Sequence, residues 1–123
     1  MNFLNTTDFT IMQKSLDALW TRQRVISDNI ANMDTPGYKA KYVEFESILR
    51  QRLDGIRSGK ISADDLRAGI HTDFYTTARV DGNNVDIDKE GVELARTKIQ
   101  YDFMTSMISS EFARLRSAIR EGR

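Results

Sequence analysis

The chain contains one histidine, His71, and no cysteine. A hydrolytic triad or a histidine-based metal site needs partners within reach, and no thiol is present to act as nucleophile or zinc ligand. His71 beside a carboxylate leaves a hydrolase as a third reading; a structural or surface histidine accounts for it more simply. Asp8, Asp17 and Asp28 share one helical segment but stand nine and eleven positions apart, too far to form a carboxylate cluster. Residues 86–97, DIDKEGVELART, open like a calcium loop. The pattern fails at its twelfth position, Thr97, where a bidentate Glu is required, and at its eighth, Glu93, where an apolar residue is usual. A helix cap followed by an acidic first turn accounts for the same residues. Asn5-Thr6-Thr7 matches the three-residue N-glycosylation pattern, which is common by chance. Arg114, Arg116, Arg120 and Arg123 form a basic tail without interleaved aromatic residues, so they read as a solvated helix end and not as a nucleic-acid platform. No catalytic, cofactor-binding or metal residue is assigned; no cofactor, nucleic acid or small-molecule substrate is expected.

Composition is ordinary and too apolar for a wholly disordered protein. The 123 residues suit one small domain, are 40% hydrophobic and 29% charged, and balance 18 Lys and Arg against 18 Asp and Glu. A chain of zero net charge has no overall field to gather nucleic acid or anionic membrane. Its start has no basic n-region with an apolar block, so no cleaved secretory signal is expected, and no run reaches the ~18–20 apolar residues of a membrane span.

Two long amphipathic segments occupy the ends. In the first, Phe9, Met12, Leu16, Leu19, Gln23, Ile26, Ile30 and Met33 recur by threes and fours, a heptad seam interrupted at Gln23. It predicts a helix over about 8–32, capped by Asp8 or by Thr6 or Thr7. Pro36 disfavours the helical conformation at Thr35, and Pro36-Gly37 fits the centre of a type II turn with Gly37 at positive φ. The last segment predicts a helix over about 88–120, capped by Asp86 or Asp88. One of its stripes is Val92, Ala95, Ile99 and Phe103; another is Tyr101, Met104, Ile108, Phe112, Leu115 and Ile119. This apolar face is wider than pairing with one helix requires, and its surplus is expected to be covered by other copies or related chains.

Between these segments the reading is looser: a short helix over about 44–53 ended near Gly55, a loop at 57–60, and a helical turn at 63–68 capped by Ser62 and stopped by Gly69. Residues 70–80 read as extended, and 81–84 as a turn. The expected fold is mainly α. Residues 1–35 and 88–123 pair as an antiparallel coiled coil around an irregular middle, 36–87, the three parts making one domain.

Residues 29–39, NIANMDTPGYK, resemble the N-terminal motif of the bacterial flagellar rod and hook proteins, the axial family, in which a helix is followed by A-N-x-x-T-P-G-Y-K. A second stretch, Gly82-Asn83-Asn84-Val85-Asp86 ahead of Glu90 and a long helix, resembles the proximal-rod branch, as does the ending Ala118–Arg123. The resemblance implies a structural subunit of the proximal rod, exported unfolded through the flagellar export apparatus without a cleaved signal. It would assemble in the periplasmic rod with copies of itself, other rod proteins, the basal-body ring and the ring-to-rod linker protein. It also implies an assembly motif at Asn29, Ala31, Asn32, Thr35, Pro36, Gly37, Tyr38 and Lys39. Asn29 and Asn32 would satisfy carbonyls at the helix end or bond across to another subunit, and Tyr38 and Val43 would anchor neighbours. The helix interface would comprise Phe9, Met12, Leu16, Leu19, Ile26 and Ile30 with Ile99, Tyr101, Met104, Ile108, Phe112, Leu115 and Ile119. A free monomer with frayed terminal helices is the accompanying expectation. The alternative is a self-contained helical bundle acting as adaptor or chaperone, with its stripes buried internally.

Overall fold

A computed structural model describes residues 6–122; Asn5 and Arg123 lie outside them. Helix α1 runs over Thr6–Ala31 and helix α3 over Ile87–Glu121, roughly 39 and 52 Å long at ~1.5 Å per residue. Between them come strand β1 (Lys41–Val43), helix α2 (Phe45–Arg57), a 3₁₀ turn (Ala63–Asp65) and strand β2 (Ile70–Thr72). β1 and β2 form a two-stranded antiparallel sheet in which Tyr42 faces His71 and Val43 faces Ile70. The fold is mainly helical, with α1 and α3 packed together.

Following α1 from Phe9 through Arg22 to Asn29, its contacts on α3 move from Phe112 to Glu93 to Glu90, so the two helices run in opposite directions. The core is small and collects around α1: Ala18, Leu19, Val25 and Ile26 are buried there, joined by Val43, Ala63, Leu66 and Val85 from the middle segment. On α3 the less exposed positions recur at 90, 94, 97, 101, 104, 108, 111, 115 and 118, alternating by four and three. That stripe turns toward α1 and holds Glu90, Thr97 and Glu111 among its apolar members. On α1 a stripe at Ser15, Ala18, Arg22, Val25 and Asn29 is buried beside the expected Leu19 and Ile26.

Several sequence expectations are corrected. Thr6, Thr7 and Asp8 all lie within the bounds of α1, and Asp8 sits in its first turn, where a negative charge is favoured by the helix dipole. α2 continues through Gly55 to Arg57. Its stop is Gly59, at φ 72°, with Lys60 N–H donating to Gly55 O (2.9 Å) and Gly59 N–H to Ile56 O (3.0 Å), the paired bonds of a Schellman ending. Gly55 serves packing instead, because a Cβ there would stand 2.5 Å from Cδ1 of Ile61. Ser62 does cap the turn after it, but that turn covers only Ala63–Asp65. Of 70–80 only Ile70–Thr72 is extended; Asp73 then bends the chain by accepting from the N–H groups of Tyr75 and Thr76 (both 3.0 Å). The middle is therefore structured, not irregular, and Val43 is a core residue of its own chain rather than an anchor for a neighbour. At the start of α3, Asp86 is the cap, its carboxylate accepting from Asp88 and Lys89 N–H.

Candidate assembly joint

Where α1 ends, its carbonyls need donors. The helix loosens through i→i+3 bonds, Met33 N–H to Ile30 O and Thr35 N–H to Asn32 O, and then closes a turn with Tyr38 N–H donating to Thr35 O (3.2 Å). Gly37 holds φ 73° in that turn. The other donors come from the far side of the sequence. Asn83 Nδ2 donates to both Asn32 O and Thr35 O, each at 2.8 Å, and the Arg79 guanidinium donates to Met33 O. Asn83 Oδ1 meanwhile accepts from Val85 N–H (2.9 Å), so this fully buried amide satisfies three backbone groups.

The second motif thus folds onto the first. Gly37 N–H donates to Asp81 O (2.8 Å), and Lys39 Nζ donates to Gly82 O (2.6 Å). Ala40 N–H donates to Asn84 Oδ1 (2.6 Å), while Asn84 Nδ2 donates to Asp73 O (2.8 Å). Gly82 needs its glycine for its φ of 83°, and it packs against Gly37, where an added Cβ would stand 3.4 Å from Gly37 Cα. Two stretches that read separately in sequence form one polar knot at one end of the helix pair.

Asn29 extends the knot into α1. It is fully buried; its Nδ2 donates to Lys41 O (2.6 Å), and its Oδ1 accepts from Lys41 N–H (2.9 Å) and from the Tyr38 hydroxyl (3.1 Å). The two alternatives expected for Asn29, helix-end carbonyls or a bond across to another subunit, give way to bonds with Lys41 and Tyr38 of its own chain. Asn32 is likewise committed locally, donating to Asp28 O (2.8 Å) and accepting from Thr35 Oγ1 (3.1 Å). Beside Asn29 lies the buried Glu90 carboxyl. Burial raises its pKa, with Glu93 and Asp86 adding to the rise, against the lowering effect of the Asn29 amide and Lys89. Burial also raises Tyr38, reinforced by Asp28 and Glu90. Ala31 and Pro36 are exposed and make no bond in the knot; Val85 is in the core, and Asp86 passes the chain into α3.

A second tie was invisible in sequence. Arg22, buried on α1, donates to Glu46 Oε1 of α2 (2.9 Å) and to Glu93 Oε2 of α3 (2.5 Å). Arg96 and Gln100 add donors to the same Glu46 oxygen at 3.3 and 3.4 Å. Burial pushes Glu46 up, but bonds from Arg22, its own backbone and Gln100 outweigh it and hold the carboxyl below its usual range.

The interface residues divide. Leu19 and Ile26 are buried, and Phe9 meets Phe112 edge to face at 5.2 Å. Met12, Leu16 and Ile30 of α1, and Tyr101, Met104, Ile108 and Leu115 of α3, are partly covered, whereas Phe112 and Ile119 keep at least half their surface open. Ile99 turns away from α1. With Val92 and Phe103 it forms an outer stripe whose members are 67, 69 and 64% exposed at 92, 99 and 103. His71 stacks on Tyr42 (5.5 Å) with its Nε2 3.8 Å from Glu44 Oε2, and both side chains are about half exposed, which makes this a surface contact.

A family model described as flagella basal body rod protein matches residues 14–39, the run from α1 through the turn to Lys39. The chain is 35% identical over 119 residues to the flagellar basal body rod protein FlgB of Bacillus subtilis, covering 91% of this chain and 92% of that protein. It is 34% identical to FlgB of Borreliella burgdorferi (90 and 93% covered) and 31% identical to FlgB of Borrelia hermsii (83 and 87% covered). With relatives this similar along nearly their whole length, the chain belongs to the flagellar basal body rod protein family.

Proposed function

We propose that α1 and α3 build this chain into the rod as an antiparallel coiled-coil unit, with residues 1–35, 36–87 and 88–123 acting together as one domain. The protein is a structural subunit of the proximal rod of the bacterial flagellar basal body, not an enzyme. The observation that carries the assembly reading is the outer stripe of α3. Val92, Ile99 and Phe103 lie opposite the stripe that faces α1, and about two thirds of each is open to water. A self-contained adaptor or chaperone bundle would enclose them.

Covering a large apolar side chain is worth about 1.5–3 kcal/mol. The surfaces that cover this stripe belong to other copies of the chain and to other rod proteins; the basal-body ring, the ring-to-rod linker protein and the export apparatus complete the set of partners. The subunit acts in the periplasmic rod after export. The knot at 29–39 and 82–86 serves this role from within the subunit, by fixing how the chain leaves α1 and approaches α3.

The test is Ile99→Glu combined with Phe103→Glu, in a cell lacking its own copy. The free protein should keep its helicity and melting midpoint, because neither side chain faces α1, while isolated basal bodies should lack a completed rod. Normal basal bodies from this variant would refute the assignment of the stripe.

A further inference from the structure

Helix α2 is attached to the rest of the fold in an unusual way. No residue of α2 is buried, yet the chain is anchored on both sides of it, by Val43 before and by Ala63 and Leu66 after. Its apolar residues Phe45, Ile48 and Leu49 look across an open groove at Ser15 and Ala18 of α1 and at Leu66. Small side chains on that floor leave the larger ones above them only partly covered, so dispersion holds α2 down weakly. The strong tie is polar. One oxygen of Glu46 accepts from Arg22 at 2.9 Å, Arg96 at 3.3 Å and Gln100 at 3.4 Å, bringing donors from both long helices to one carboxylate.

We infer that α2 is a strap clipped to the helix pair by the Glu46 carboxylate, and that it releases as a unit, uncovering its apolar face and the Ser15–Ala18 groove, while α1 and α3 stay paired. Arg22 makes release cheap. Its other nitrogen stays paired to Glu93 at 2.5 Å, so opening the clip does not leave a buried cation alone. The anchors at Val43 and at Ala63 and Leu66 stay in place, so the strap stays tethered at both ends. Once lifted, a 13-residue helix is too short to hold its own hydrogen bonds firmly in water, and its amides open to solvent.

Hydrogen exchange of the full chain reads this directly. Glu46→Ala should speed exchange of the 45–57 amides about tenfold, the scale of a hydrogen bond to a charged group, and leave those of 19–29 and 90–104 within about twofold. Unchanged exchange at 45–57, or equal acceleration in all three segments, would overturn the inference. Arg96→Ala with Gln100→Ala removes two of the three donors and keeps Arg22 bridged. It should give a smaller acceleration, roughly threefold, confined to the same segment. Should Glu46→Ala fail to fold, this double variant decides: exchange at 45–57 as slow as in the unaltered chain, or acceleration spread into α1 and α3, refutes the strap.

Discussion

Asn83→Ala tests the knot at its most connected residue. The substitution removes three hydrogen bonds: Nδ2 to Asn32 O and to Thr35 O, and Val85 N–H to Oδ1. The losses are unequal. Asn32 O keeps its bond from Thr35 N–H at 3.1 Å, and Thr35 O keeps Tyr38 N–H at 3.2 Å, so each of those losses falls near or below the usual net value of about 1 kcal/mol. Val85 N–H is buried and is left without its acceptor, which carries the full desolvation penalty of about 1–3 kcal/mol. The sum is about 2–4 kcal/mol, a large share of the ~5–15 kcal/mol that holds a domain together. For a chain of this size it corresponds to a fall in Tm of roughly 8–16 °C.

Asn83→Asp separates this account from a simple loss of volume. Aspartate keeps an acceptor for Val85 N–H but turns an oxygen toward two carbonyl oxygens. A buried carboxylate facing carbonyls has its pKa raised above the unfolded value. The added destabilisation is therefore present at neutral pH and fades as the pH falls far enough to protonate the group in the folded state. Urea denaturation followed by circular dichroism, at neutral and acid pH, measures both variants. An Ala variant within about 0.5 kcal/mol of the unaltered protein, below the net value of one such bond, would refute the reasoning. So would an Asp variant no weaker than Ala at neutral pH.

Three further outcomes follow from the same geometry. Gly37→Ala should cost about 1–2 kcal/mol through its left-handed backbone alone, since nothing lies within 4 Å of the added methyl group, and Gly37→Val should cost more; a denaturation midpoint unchanged by Ala would remove the left-handed requirement. Arg22→Ala should cost about 2–3 kcal/mol in urea denaturation, below the range for a fully buried pair because Glu46 and Glu93 are partly exposed, and Arg22→Lys should not restore it, since one ammonium cannot reproduce the fork. Glu90→Gln should raise the midpoint at neutral pH. Burial raises the folded pKa of Glu90, so its charged form weakens the fold above that pKa, and the gain should vanish below the ordinary glutamate range, where the carboxyl is protonated in both states; a gain persisting in acid would refute this.

What could be read from the sequence was mostly local. Asp86 was legible as a cap because its carboxylate reaches only the N–H groups of residues 88 and 89. Gly37 was legible because Pro-Gly constrains its own turn. Leu19 and Ile26 announced themselves by period. Gly55 and Gly59 were not distinguishable in the same way: either can end a helix, and what separates them is Ile61 packed flush against the first. Strand β1 escaped notice because three residues form it and its partner lies beyond α2. The buried polar positions on α1 and α3, Ser15, Arg22, Asn29, Glu90 and Thr97, interrupt the apolar pattern and look like surface residues until their partners are in place. Each motif of the knot was visible alone. That Asn83 would serve the carbonyls of Asn32 and Thr35 was not, because a side chain's type says which groups it can bond and not which distant ones it will meet.

The polar members of the helix seam and the knot act together to set how the two helices meet. An apolar heptad seam favours one register only where residue sizes differ, and a polar member adds to that preference only where it meets its own partner. Here α3 brings Glu90, Thr97 and Glu111 to its inner stripe, and α1 brings Ser15, Arg22 and Asn29. On their apolar members alone the two helices could slide by one heptad, about 10.5 Å, and still place similar surfaces together. Two features forbid it. The backbone bonds from Gly37 to Asp81 and from Asn84 to Tyr38 tie the chain just after α1 to the chain just before α3. Arg22, farther along, reaches Glu93 at 2.5 Å and would lose it in a shift of even one turn. With register set by directional bonds, the apolar surface of α3 need not be spent on it. Val92, Ile99 and Phe103 are left on the outside at a fixed height above the joint, which is the condition for many identical subunits to meet their neighbours in the same way.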